Sequence, residues 1–161
     1  MKKKLEIKPI GIIHTPYKDR KGMPIQGKFE KDVEGQIEIF PEYIQGLKDV
    51  EEFSHLILIY YFDRVQEEKL IGKPFLEDES HGIFAIRSPT RPNRIGLSIV
   101  KLKKVKDNRI IFTEVDVLDK TPLLDIKPYI SHFDSREGVK NGWLDKHFTN
   151  GKIPKRTRIR H

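Results

Sequence analysis

From Leu97 to Val115 the chain reads LSIVKLKKVKDNRIIFTEV, and few folds can accept such a stretch. Val100 and Leu102 alternate with Lys101 and Lys103, the period-2 pattern of a strand with one buried face. Lys106, Asp107, Asn108 and Arg109 then supply turn chemistry before a second apolar run. Strands over Leu97–Val105 and Arg109–Val115 are therefore predicted to pair as an antiparallel hairpin.

The rest of the chain offers more short strands and little helix. Further strand candidates are Ile7–Ile13, Gln36–Phe40, His55–Phe62, Gly82–Arg87 and Leu123–Ile126. Within His55–Phe62 the run LILIYYF is apolar throughout, as expected of a strand covered on both faces. Two short helices are predicted, Pro41–Val50 with proline in its first turn and Asp63–Ile71 with Asp63 as its N-cap. Many short strands joined by turn-rich segments make the expected fold class mainly β, a small antiparallel β-barrel with short peripheral helices. The 161 residues suit one domain, expected over residues 1–142, with residues 143–161 as a basic, flexible tail.

Charge narrows the partners. The ten residues from Lys152 to His161 hold five basic side chains and no acid, and Lys2, Lys3 and Lys4 add three more. With these set aside, 23 basic residues face 24 acidic ones, yet His81 to Lys106 carries seven Lys/Arg and no Asp or Glu. A basic face plus basic ends is the electrostatic footprint of a polyanion binder. No apolar run reaches the roughly 18 residues of a membrane span. The N-terminal apolar segment is broken by Glu6, Lys8 and Pro9, against a signal peptide. Without cysteine there is no disulfide, thiolate nucleophile or cysteine-ligated zinc, and a cytoplasmic location is expected.

Motifs for Rossmann dinucleotide sites, P-loops, zinc proteases and serine hydrolases do not occur. His132 and Asp134 read as a surface hydrogen-bonded pair, and no metal is expected. What remains is a set of polar loops, each after a predicted strand: FDR (Phe62–Arg64), RSPTRPN (Arg87–Asn93) and LDKTP (Leu118–Pro122). Pro89, Pro92 and Pro122 stiffen them, lowering the entropy lost on ordering. Pre-organised polar groups gathered at one barrel rim would suit a small-molecule site.

KPIGIIHTPY (Lys8–Tyr17), FSHLILIYYFD (Phe53–Asp63), GIFAIRSPTRPNRIGLSIVKL (Gly82–Leu102) and LDKTPLLDIKPY (Leu118–Tyr129) together resemble the TsaA/TrmO family, from about Ile7 to Asp134. The resemblance implies S-adenosyl-L-methionine as cofactor, tRNA as substrate and a single-sheeted β-barrel that forms a homodimer. The reaction implied is N6-methylation of threonylcarbamoyladenosine, the modified base 3′ of the anticodon. Lys120 stands where the family usually has glycine, and Arg94 where it usually has proline. The better-studied bacterial members carry a further C-terminal domain that this sequence does not include.

The same resemblance places cofactor contacts on Gln26 and Gly27, Phe62 and Asp63, Arg87, the backbone near Leu97, and Asp119, Lys120 and Thr121. A guanidinium at Arg87 would pair the carboxylate of the cofactor's amino-acid end, leaving Arg91, Asn93 and Arg94 for the RNA. Asp63 and Asp119 are the candidate catalytic carboxylates, able to accept a proton or to hold the cofactor. Two other readings stay open: an RNA-binding barrel without catalysis, and a methyltransferase acting on another RNA or a small molecule.

Overall fold

The structure is a computed structural model, described over residues 2–148, 154 and 156–160. Eight strands form: β1 (Gly11–His14), β2 (Glu34–Ile39), β3 (His55–Tyr61), β4 (Ile71–Gly72), β5 (His81–Gly82), β6 (Ile95–Lys106), β7 (Arg109–Thr113) and β8 (Thr121–Pro128). Six of them close a barrel in the order β1-β2-β7-β6-β3-β8, with every pair antiparallel, while β4 and β5 form a separate two-stranded ribbon. The mainly-β, single-sheeted barrel expected from the sequence is the fold observed.

Alternation builds the core. Along β3, Leu56, Leu58 and Tyr60 point inward and are buried, as are Ile37 and Ile39 of β2, Val100 of β6, and Ile110 and Phe112 of β7. Each fully buried aliphatic side chain contributes roughly 1.5–3 kcal/mol relative to exposure. The β6–β7 hairpin turns through Asp107 and Asn108, with Lys106 opposite Arg109 and Asp107 in the left-handed region at φ 53°.

β3 is not covered on both faces. Its alternate residues Ile57, Ile59 and Tyr61 face outward, opposite Ile99, Leu97 and Ile95 of β6. The all-apolar run thus reflects a core face and an apolar outer face rather than burial on both sides.

Other expectations change with packing. Of the proposed Gly82–Arg87 strand only Gly82 falls in a strand, the two-residue β5, and Ile83–Ala85 is a 3-10 turn. Ile83 and Ile86 are buried while Phe84 and Ala85 are exposed, a spacing of three that a strand cannot deliver. Pro41–Leu47 is 3-10 rather than α-helical, and residues 63–71 form no helix. That second segment offers too few apolar positions to anchor a helix; it turns at Asp63–Arg64, and the Lys69 N–H is bonded to the Thr90 carbonyl (2.8 Å).

The tail is not free where it is described. Gly142–His147 forms a 3-10 helix, and its Trp143 donates Nε1–H to the Ala85 carbonyl at 2.8 Å. Thr157 and Ile159 exchange backbone hydrogen bonds with Gly22, Met23 and Ile25, and Ile159 is buried beside Met23. Arg158 pairs with Glu30, and Arg156 lies 3.7 Å from Asp78. The acids that fix these arginines come from distant sequence, so a search for local partners misses them. Lys152 and Lys155 fall outside the described residues.

Candidate active site

Strand direction gathers the polar loops. β1, β3 and β7 end, and β2, β6 and β8 begin, at the same barrel mouth. The β1–β2 connection carries Gln26 and Gly27, the β3–β6 connection carries Phe62–Arg64 and Arg87–Arg94, and the β7–β8 connection carries Asp116 and Leu118–Lys120.

Hydrogen bonds tie these connections together. Arg64 Nη2 donates to the Asp119 carbonyl (2.7 Å) and to Thr121 Oγ1 (3.1 Å). The Phe62 N–H reaches the Arg94 carbonyl at 2.9 Å, and the Phe62 ring packs edge-on against Tyr60. Arg87 Nη1 lies 3.3 Å from Gln26 Oε1. Gly27 approaches the end of β7 so closely that a Cβ would stand 1.8 Å from the Glu114 carbonyl oxygen, so only glycine fits.

The two candidate carboxylates differ. Asp119 is buried, its Oδ1 accepts the Thr15 N–H (3.0 Å), and its Oδ2 pairs with Lys18. Burial alone would raise its pKa, but the bonds from Lys18 and Thr15 outweigh that and hold the carboxyl below its ordinary value. Its side chain thus ties β1 to the LDKTP turn. Asp63 is exposed, and among the described residues its carboxylate has one ion-pair partner, Arg64 Nε at 3.4 Å from Oδ1.

The basic loop is braced from within. Arg91 donates to the Ile86 carbonyl at 2.8 Å, and Arg94 reaches towards the Gln66 carbonyl at 3.5 Å. Neither arginine is simply loose surface charge, whereas Arg87 and Asn93 are exposed. Asn93 and Arg94 both take left-handed backbone, at φ 63° and 51°. Proline cannot adopt that conformation, so arginine at position 94 goes with a local turn different from one built on proline. Lys120 is likewise left-handed at φ 64°, the conformation glycine holds more easily. The Leu97 side chain points out of the barrel and is exposed, leaving only its backbone for any cofactor.

Sequence reading missed two groups. Asp116 accepts the Gly27 N–H at Oδ2 (3.1 Å) and the Ser98 hydroxyl at Oδ1 (2.5 Å), and Ser98 in turn contacts the Tyr60 hydroxyl (2.9 Å). Burial, only partly offset by these bonds, raises the Asp116 pKa to about 6. Its signal in sequence was an acid between Val115 and Val117, two fully apolar neighbours. The second group is Glu77, buried and clasped by His81, His147 and Lys146, with Trp143 stacked on His81 at 4.8 Å. Hydrogen bonds from Lys146 and His147 bring its carboxyl down to about 2. Glu77, Glu79 and His81 bring ligand atoms within 4.8 Å of one another, but the Lys146 ammonium already balances Glu77. The cluster braces the turn leading into the RSPTRPN loop. Asp134, by contrast, caps its own segment by accepting the Ile130 N–H (2.8 Å).

Residues 12–135 match the family described as tRNA-methyltransferase O N-terminal domain. A probable S-adenosyl-L-methionine-binding protein of Pyrococcus abyssi is 55% identical over 139 residues, covering 86% of this chain and 76% of the relative. The tRNA (adenine(37)-N6)-methyltransferase of Mus musculus is 33% identical over 138 residues, and 81% of this chain covers only 32% of that protein. The crystal structure of TrmO from Pseudomonas aeruginosa superposes with a TM-score of 0.76 at 30% identity, over 89% of this chain and 64% of that one. The chain therefore spans less than two thirds of the solved relative. Its barrel and its loops place it in the tRNA-methyltransferase O N-terminal domain family.

Proposed function

We propose that this chain, an S-adenosylmethionine-dependent methyltransferase by its family, methylates N6 of a modified adenosine beside the anticodon of tRNA, most specifically threonylcarbamoyladenosine. The observation that carries the reading is the mutual bonding of the Gln26–Gly27, Phe62–Arg64, Arg87–Arg94 and Leu118–Thr121 loops at one mouth. Arg87, exposed beside Gln26, would pair the carboxylate of the cofactor, with Gly27, Phe62 and the Asp119–Thr121 turn supplying backbone and an aromatic face. The cofactor supplies an electrophilic methyl. In the reaction the base nitrogen forms the new N–C bond, the C–S bond breaks, the sulfonium becomes a neutral thioether, and the nitrogen releases its proton.

Within the chain, alignment is the main contribution, since a conjugated exocyclic nitrogen is a weak nucleophile. Asp63, whose carboxylate among the described residues pairs with Arg64 alone, is the better-placed proton acceptor. Asp119 positions the turn. Arg91, Asn93 and Arg94 would face the RNA, where a guanidinium suits phosphate or the threonyl carboxylate. Acting on tRNA puts the protein in the cytoplasm, and no helix among the described residues is long and apolar enough to cross a membrane.

A homodimer fits the outer face of β3 and β6, where Tyr61–Ile95, Ile59–Leu97 and Ile57–Ile99 form apolar rungs and the β6 residues remain exposed. Leu97→Lys should turn a dimer into a monomer in light scattering, and an unchanged mass would reject this face.

The reaction is tested by mass spectrometry of tRNA nucleosides from a strain lacking the gene, with and without a plasmid copy. Loss of the N6-methylated modified adenosine, restored by the plasmid, is expected. An unaltered nucleoside profile would reject the assignment.

A further inference from the structure

Among the described residues, Asp116 has no lysine, arginine or histidine within ion-pair distance. The two buried carboxylates near the loops, Asp119 and Glu77, both have a lysine. Holding a carboxylate away from water without a counter-charge is costly, and sites where this happens are often functional.

The surroundings of Asp116 are fully specified. The 3-10 turn Gly27–Phe29 of the β1–β2 connection presents the Gly27 N–H, and β6 presents the Ser98 hydroxyl. Tyr60 of β3 and Tyr17 of the β1–β2 connection both feel its negative charge, with Arg158 acting on Tyr17. Arg87, whose Nη1 lies 3.3 Å from Oε1 of Gln26, the residue before Gly27, is a cation that favours its ionised form. Adjacent residues of one turn thus hold an exposed guanidinium, on Gln26, and a half-buried carboxylate, on Gly27, that has no ion-pair partner among the described residues. A ligand carrying both an anion and a cation a few bonds apart is the chemical complement of that pair. S-adenosylmethionine is such a ligand.

We propose that the Asp116 carboxylate is the counter-charge this site sets against a cationic centre of the cofactor, either the sulfonium or the α-ammonium. This rests on the reading of the mouth as the cofactor site. The two sources differ in consequence. If the partner is the sulfonium, the attraction disappears when the methyl leaves, and Asp116 favours release of the thioether product. If it is the α-ammonium, substrate and product cofactors are held alike.

The sign of the pH dependence follows from linkage. A cation bound beside Asp116 favours its ionised form, so the carboxyl's pKa is lower in the complex than its free value of about 6. Affinity is then fully present above that value and weakens as the pH falls below it. At pH 5 a group of this pKa is only about one-tenth ionised, so binding should be roughly tenfold weaker than at pH 7.

The test is calorimetry of S-adenosylmethionine and S-adenosylhomocysteine with the full chain, from pH 5 to 7, in buffers of different ionisation enthalpy. Wild type should release about half a proton on binding at pH 6, rising towards one at pH 5, and show the tenfold fall. Asp116→Asn keeps the shape and an acceptor for Gly27 but no charge, and should bind at least tenfold more weakly at pH 7 with a flat profile. Ser98→Ala keeps the charge and removes a bond that lowers the carboxyl's pKa, so the midpoint of the profile should move up. Homocysteine-form binding with the same profile identifies the ammonium as the partner, and a flat one identifies the sulfonium. A profile that persists in Asp116→Asn, unchanged affinity in that variant, or an unmoved midpoint in Ser98→Ala overturns the proposal. Wild type that binds neither ligand at any pH overturns the cofactor reading itself.

Discussion

Replacing Gly27 by alanine should abolish tight cofactor binding while leaving the barrel folded. The added Cβ would lie 1.8 Å from the Glu114 carbonyl oxygen, where distances under 3.0 Å are essentially never tolerated. The obstacle is backbone at the end of β7, not a movable side chain, so the turn Gly27–Phe29 must retreat by roughly 1 Å, a misplacement that can cost on the order of 10²-fold in turnover. Such a move opens the 3.1 Å bond from the Gly27 N–H to Asp116. A hydrogen bond to a charged acceptor contributes about 1.5–3 kcal/mol, or roughly 10- to 150-fold in affinity if the ligand needs the turn in place. No barrel strand is displaced, so loss of that bond should lower the melting temperature by only about 3–12 °C. Calorimetry with S-adenosylmethionine, alongside circular-dichroism melting, measures both. Gly82→Ala is the control, because a Cβ there meets nothing within 4 Å. Undiminished affinity in Gly27→Ala would refute the placement of the cofactor under this turn.

Arg64→Ala removes the bonds to the Asp119 carbonyl and Thr121 hydroxyl, and should weaken cofactor binding about tenfold while costing about 1 kcal/mol of stability, its partial exposure considered. Leu58→Ala, inside the barrel, should cost about 2–5 kcal/mol in urea unfolding, and a smaller loss would mean the interior collapses around the gap. Ending the chain before Arg156 should expose Met23 and free the Gly22–Ile25 segment, so that cofactor affinity falls along with the salt dependence of RNA binding. A truncated protein with full cofactor affinity would show that Thr157–Ile159 does not support the site.

The barrel was legible because its hairpins announce themselves: Lys101 and Lys103 alternating with Val100 and Leu102, then a two-residue turn at Asp107 and Asn108. The helix expected over 41–50 forms as 3-10 over Pro41–Leu47, while that over 63–71 does not form, since local cap and proline signals say nothing of whether an apolar face finds a partner. Gly82–Arg87 misled because a short apolar run carries no period until burial shows Ile83 and Ile86 sharing one side. For the site, motif resemblance located the loops but not the division of labour within them. For Asp119, a candidate carboxylate beside a turn, only folding shows Thr15 and Lys18 on its oxygens. Asp116 was silent because nothing in VDV distinguishes an inward carboxylate from a rim one until Gly27 and Ser98 arrive from distant sequence. The contacts of Arg156 and Arg158 were hidden for the same reason, their partners Asp78 and Glu30 lying more than 70 residues away.

The most direct test of the central claim is a single reaction with purified protein. It combines S-adenosylmethionine labelled on the methyl group with tRNA that carries threonylcarbamoyladenosine, followed by nucleoside mass spectrometry. The account predicts one labelled methyl on N6 of that nucleoside and none on tRNA bearing unmodified adenosine at the same position. Label on another nucleoside, or transfer to neither RNA by protein that binds the cofactor, would contradict it.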